Sequence, residues 1–245
     1  YTRRLPETGY LIEQSFFTKN FKDEVTAMRP DEIEQASMRI IASEMGAWLG
    51  APEELPVVKR VIHTTADFDF AENMRFSKEA VKLARAALKS GSSVVTDTNM
   101  AASGINKAAC ARFGVEVVCR MANPAVREAA EARGTTRAVV SMEEAAKATP
   151  NAIFAIGNAP TALIRLCELI DEGKCAPALV IGVPVGFVNV VESKETLFAI
   201  CEQHGVPAIA AMGRKGGSNV AAAICNALVY SAAEMLDPSA RGWRG

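Results

Sequence analysis

From Ser77 onward the chain alternates short apolar runs with longer stretches whose apolar residues recur every three or four positions. Five runs have strand length and are rich in Val, Ile and Ala: Ser93–Thr96, Val115–Cys119, Ala152–Ile156, Ala178–Ile181 and Pro207–Ala211. Helical stripes separate them. Ser77 is placed to cap the first, with Ala80, Val81, Ala84 and Leu88 inward and Gly91 as the stop. A helical piece then runs to Phe113-Gly114. Asn123-Pro124 starts the next, and Ser141 is placed to cap one through Lys147. Three more helices end at Glu172-Gly173, His204-Gly205 and Leu236. Strand–helix alternation with helix-length crossovers predicts an α/β fold: a mostly parallel sheet with helices on both faces, Rossmann-like and three-layered.

Residues 1–76 read differently. Positions 7–19 and 31–49 carry helical stripes, and Pro56 opens a short helix through Arg60 and His63. The expectation is one α/β domain over 1–245. Within it, 1–76 form a helical N-terminal portion and 77–236 the alternating core.

Composition narrows the function classes. The sequence is 49% AVILMFWYC, and its net charge of −1 gives no global field for nucleic acid or an anionic membrane. Anionic ligands need a local cationic cluster instead. Cys110, Cys119, Cys167, Cys175, Cys201 and Cys225 form no Cys-x-x-Cys pair and no zinc-spaced cluster. They read as thiols of a reducing compartment, and the start at Tyr1 lacks a basic-then-apolar leader pattern, so a cytoplasmic protein is expected. The uncharged run Gly216–Ala233 approaches the length of a membrane span. Its Ser218, Asn219 and Asn226 make it a buried core helix instead.

The candidate chemistry falls in two places. One is the stretch Arg60–Ser77, where His63 is one of only two histidines and is followed by Thr64 and Thr65. Arg60 and His63 lie three apart, on one helical face. Imidazole titrates nearest neutrality, which suits proton transfer; the same position after Val61-Ile62 also suits a hydrogen-bonded core histidine. His204, beside Gly205, reads as a helix C-terminal residue. The second place is the carboxyl rim of the expected sheet, where ligands of such folds bind. It carries Asp97-Thr98-Asn99, Gly157-Asn158, Gly186-Phe187 and Gly213-Arg214-Lys215-Gly216-Gly217-Ser218-Asn219. Glycines let backbone amides approach a ligand, helix N-termini favour anions, and Arg214 and Lys215 add charge. The alternative is a glycine-rich turn with solvated cations. The dinucleotide and P-loop glycine fingerprints are absent, as is Gly-x-Ser-x-Gly. Asp67, Asp69 and Glu72 have no His or Cys at ligand spacing and read as a solvated polar segment.

Several of these pieces, in this order, resemble the precorrin-8 methylmutases (precorrin isomerases) of corrin-ring biosynthesis. The resemblance covers most of the chain. It rests on Arg60-Val-Ile-His63, Arg75-Phe-Ser77, Gly134-Thr-Thr-Arg137, Ala155-Ile-Gly-Asn-Ala-Pro-Thr-Ala162, Gly182-Val-Pro-Val-Gly-Phe-Val188 with Glu192-Ser-Lys194, and Gly213-Arg-Lys-Gly-Gly-Ser218. His63-Thr-Thr-Ala-Asp-Phe-Asp is similar to the cobalt-dependent branch, whereas the metal-free branch tends to Ala-Cys-Gly after the histidine. The resemblance implies an isomerase moving a methyl group from C11 to C12 of cobalt-precorrin-8 to give cobyrinate. It implies His63 and Arg137 as catalytic residues, with Ser15 and Arg60 contacting substrate. Beside these, Thr64, Thr65, Asp97, Asn99, Asn158, Gly186 and the Arg214–Ser218 loop are the expected substrate-binding set. No resident metal or cofactor is expected, the cobalt arriving in the tetrapyrrole, and a homodimer is implied. A metal-free precorrin-8X substrate, a non-catalytic tetrapyrrole carrier and a nucleotide-using or methyl-transferring enzyme are the alternatives.

Overall fold

A computed structural model describes residues 28–241. The expected helix at 7–19, and Ser15 with it, lie outside them. Helix α1 (Pro30–Met45) stops at Gly46, whose φ of 75° breaks the helical path four residues before the expected end. Helix α2 (Leu55–Thr65) follows, with Pro56 in its first turn and Ala66 closing it in the left-handed region. A single turn, α3 (Phe70–Asn73), leads into strand β1 (Met74–Phe76).

Strand β1 corrects the expectation of an all-helical N-terminal portion. Three residues without a β-branched side chain give no sequence signal. The strand exists because it pairs antiparallel with β6 (Ala208–Ala211), Met74 opposite Ala211 and Phe76 opposite Ile209. Ser77 prolongs that pairing. Its N–H donates to the Ala208 carbonyl and its Oγ accepts from the Ala208 N–H, both at 2.9 Å. It therefore does not cap α4 (Ala80–Lys89), which begins after Glu79 instead.

The core then alternates as expected. In order come β2 (Val94–Thr96), α5 (Asn99–Gly104), α6 (Lys107–Ala111), β3 (Val117–Cys119), α7 (Pro124–Arg133), α8 (Arg137–Ala148), β4 (Ile153–Ile156), α9 (Pro160–Asp171), β5 (Leu179–Gly182), α10 (Val190–His204), β6 and α11 (Ser218–Ala232). The piece expected between 99 and 113 is two helices. Asn106 breaks it and accepts from the Ala109 N–H, capping the second. Helix α8 starts earlier than expected. Thr136, not Ser141, is its cap, and Ser141 is a buried mid-helix residue. Helix α11 ends at Ala232, short of the expected Leu236.

The strands form one sheet in the order β1-β6-β5-β4-β2-β3, parallel except for β1. Successive strand residues point to opposite faces, and the burial follows that alternation. Ile153, Ala155, Leu179, Ile181 and Ile209 join one core layer with α2, α4 and α11. Phe154, Ile156, Val180, Ala208 and Ala210 join a second with α8, α9 and α10. The apolar run at 216–233 is thus a core helix. Among the described residues no helix is long and apolar enough to cross a membrane. Strand order reverses between β2 and β4, so the crevice favoured for ligands lies beyond their carboxyl ends.

Candidate active site

Helix α2 buries Val57, Val58, Val61 and Ile62 and turns its other face outward. His63 stands on that outer face and is exposed. It is not a core histidine. Arg60, one turn earlier, is mostly covered: its guanidinium donates to Glu34 Oε1 at 2.5 Å and lies over the Tyr230 ring, 5.5 Å from its centre. Arg241, from the 3₁₀ turn Pro238–Arg241, donates to both Glu34 oxygens at 2.7 Å and stacks on the same ring at 4.1 Å. Glu34 is held below the ordinary carboxylate value: its two guanidinium partners outweigh the opposing effect of burial. His63 is also pushed below its ordinary value of 6.5, first by partial burial and then by the Arg60 charge, with Glu34 opposing. Both effects favour the neutral imidazole in the free enzyme.

Thr64 is exposed, while the Thr65 hydroxyl donates back to the Val61 carbonyl at 2.8 Å. The segment that follows ties this end of α2 to the rim. Asp67 and Asp69 accept from Lys215 Nζ at 2.6 and 2.5 Å. These two acids are thus partners of a rim cation. Among the described residues no group of three His, Cys, Asp or Glu is placed to hold a metal ion.

At the rim, Asp97 follows β2 and is only 1% exposed. Its carboxylate accepts from the amides of Gly157 at 2.9 Å and of Asn158 and Ala159 at 2.8 Å. Burial pushes the Asp97 carboxyl above its ordinary value, against the pull of those amides. Expected to contact ligand, it faces inward and shapes the β4–α9 turn; its carboxylate is consumed by the protein. Thr98 caps α5 through the Ala101 N–H and bonds Ser218 Oγ at 2.8 Å, so Ser218 is also turned into the protein. The side chains of Asn99 and Asn158 remain exposed.

The β5–α10 and β6–α11 loops lie against each other. Gly217 donates to the Val183 carbonyl at 2.9 Å and Gly186 to the Arg214 carbonyl at 3.4 Å. A Cβ on Gly216 would sit 2.2 Å from the Val183 oxygen, so only glycine allows this approach. Arg214 and Lys215 project from the loop and are exposed, with Arg214 5.6 Å from the centre of the Phe187 ring. Beneath them lies Lys194 of α10, wholly buried, donating to the Gly213 and Lys215 carbonyls at 2.8 Å each. Arg137, the first residue of α8, is exposed beside the Thr136–Thr161 hydroxyl pair. His204 bonds Asp171 at 2.9 Å on the surface, a structural role.

The geometry therefore joins Lys215 to the end of α2, Arg214 to Phe187, and Thr98 to Ser218. It turns Asp97 and Ser218 inward. Sequence reasoning missed Glu34, Arg241 and Lys194 as supports. Lys194 had a signal: it shares a helical stripe with Val190, Leu197, Phe198 and Cys201.

The precorrin-8X methylmutase family model (CbiC) matches residues 32–231. A cobalt-precorrin-8 methylmutase of Priestia megaterium is 43% identical over 201 residues, covering 82% of this chain and 88% of that protein. One from Salmonella typhimurium is 45% identical over 208 residues, covering 82% and 95%. A crystal structure of precorrin-8x methyl mutase from Thermus thermophilus superposes with a TM-score of 0.74 at 42% identity, covering 82% of this chain and 98% of that one. A family match over most of the chain, with relatives above 40% identity that cover 82% of it and a solved structure of the same fold, means that this chain belongs to the precorrin-8X methylmutase family of isomerases, enzymes that move a methyl group within a corrin precursor.

Proposed function

We propose that the protein converts cobalt-precorrin-8 to cobyrinate by moving the C11 methyl to C12, with His63 as the proton-transfer group. The observation that carries this reading is an exposed histidine on a helix whose end is pinned to a cation-bearing rim by Lys215. A migrating methyl needs no nucleophile. It needs a change in the electron demand of the π-system, which a hydrogen bond or proton at the acceptor ring supplies. The substrate's acetate and propionate arms bring negative charge, which raises the affinity of His63 for a proton on binding. Arg214, the Arg214 and Gly216 amides, Arg137 and exposed Asn99 and Asn158 suit those arms. Arg60 acts here through Glu34 and His63. Cobalt enters as part of the substrate, and no resident metal is invoked. The choice of cobalt-precorrin-8 over the metal-free ring is supported by Thr64-Thr65 after His63 and by the names of the relatives above.

We further propose a cytoplasmic homodimer. Phe187, Val188 and Met100 leave 84%, 76% and 71% of their surfaces open at the rim, an apolar border suited to cover by a second copy or by the ring itself.

The test is His63→Ala. The expected result is a fall in kcat of about 10²–10⁴-fold with cobyrinate still bound; full turnover would refute the proton role. As the proton is donated, kcat/KM should fall as pH rises through a midpoint below 6.5, and kcat should show a higher midpoint.

A further inference from the structure

The buried ammonium of Lys194 acts on a part of the rim it never touches from outside. Among the described residues no acid lies within ion-pair distance of it, so its charge is met by two backbone carbonyls, those of Gly213 and Lys215. A lysine wholly inside a protein without a carboxylate is costly, and burial pushes it down to about 8. A leucine or methionine of like volume would fill the same space on the inner stripe of α10. Packing alone does not require an amine there.

The peptide plane supplies the reason. Among the described residues every peptide is trans, so each carbonyl points opposite to the N–H that shares its plane. Drawing the Gly213 carbonyl inward turns the Arg214 N–H outward. Drawing in the Lys215 carbonyl does the same for the Gly216 N–H. Among the described residues neither amide has an acceptor. Both lie beside the start of α11, whose own first amides face the same end of the sheet.

We infer that Lys194 is a positioning residue, which holds the Arg214 and Gly216 amides outward as a two-donor seat for one carboxylate arm of the substrate. This rests on the reading that the β6–α11 loop binds the corrinoid's acids. Two outward N–H groups that flank one residue can bracket a carboxylate, and the Arg214 side chain adds charge beside them. Lys194 itself neither touches the arm nor takes part in methyl transfer.

Lys194→Met and Lys194→Gln test this, with cobyrinate as the probe and its absorption spectrum as the signal. Methionine fills the volume but releases both carbonyls. Glutamine keeps N–H donors. Lys194→Met is expected to weaken cobyrinate binding about tenfold or more and to raise KM in proportion, with kcat within about threefold of the parent. Lys194→Gln should recover a good part of the affinity. Unchanged affinity in Lys194→Met, or a loss confined to kcat, overturns the proposal. If neither variant folds, the parent's own Arg214 and Gly216 amide resonances decide. They should shift on titration with cobyrinate, and stationary resonances overturn it. Absence of methyl transfer by the parent would refute the isomerase reading while leaving these binding measurements intact.

Discussion

Two turns at the carboxyl edge of one sheet are each held by a single buried charge, and the charges do opposite things. After β4, Asp97 grips three N–H groups and draws them inward. After β6, Lys194 grips two carbonyls and leaves the neighbouring N–H groups facing out. Both turns carry the glycines expected of an anion site, yet only the second has amides to offer. A glycine-rich turn at the right edge of the right fold is therefore not enough. What decides is which half of the peptide the protein keeps for itself. Neither charge has a counter-ion among the described residues, so each depends wholly on the backbone it organises.

The largest expected effect comes from removing the anion. Asp97→Ala leaves three amides without their acceptor and should cost about 4 kcal/mol in a denaturant titration. Asp97→Asn should recover part of that. If the alanine variant cost under about 1 kcal/mol, the β4–α9 turn would not depend on Asp97 as claimed.

A smaller effect is expected at Gly216. A methyl there meets the Val183 and Pro184 oxygens at 2.2 and 2.7 Å, so Gly216→Ala must push the two loops apart. It should destabilise by about 2–3 kcal/mol and weaken cobyrinate binding. Loss of stability without loss of affinity would separate the loop's packing from its proposed use.

The smallest effect concerns a charge that does have partners. Glu34 lies between Arg60 and Arg241, and its folded value is below the ordinary 4.5. Its contribution to stability is thus fully present above pH 4.5 and is lost as pH falls through the lowered value. The stability gap between the parent and Glu34→Gln should close on acidification. The same variant strips His63 of its one favourable neighbour, so the histidine midpoint should move further down in an NMR titration. An upward move would contradict the arrangement of charges described around it.

Much of this was legible beforehand. Alternating runs gave the parallel strands within a residue or two, and Gly213–Ser218 stood out by composition. Strand β1 was not legible, because Met74–Phe76 has no pattern of its own and is held by β6. Nor was the direction of Asp97, since a polar residue after a strand can face either way; the nearby β4–α9 amides decide it. Glu34 and Arg241 are 207 positions apart, and only the packing of α1 against the 3₁₀ turn brings them together. Lys194 could have been found, because a lone charge on an apolar helical stripe is itself a signal.

Residue-resolved amide exchange, with and without cobyrinate, compares the two turns most directly. Gly157, Asn158 and Ala159 should be protected already and change little, while Arg214 and Gly216 should exchange freely and become protected when the corrinoid binds. Protection gained at 157–159 with none at Arg214 and Gly216 would mean that the other turn holds the substrate and that the contrast has been drawn the wrong way round.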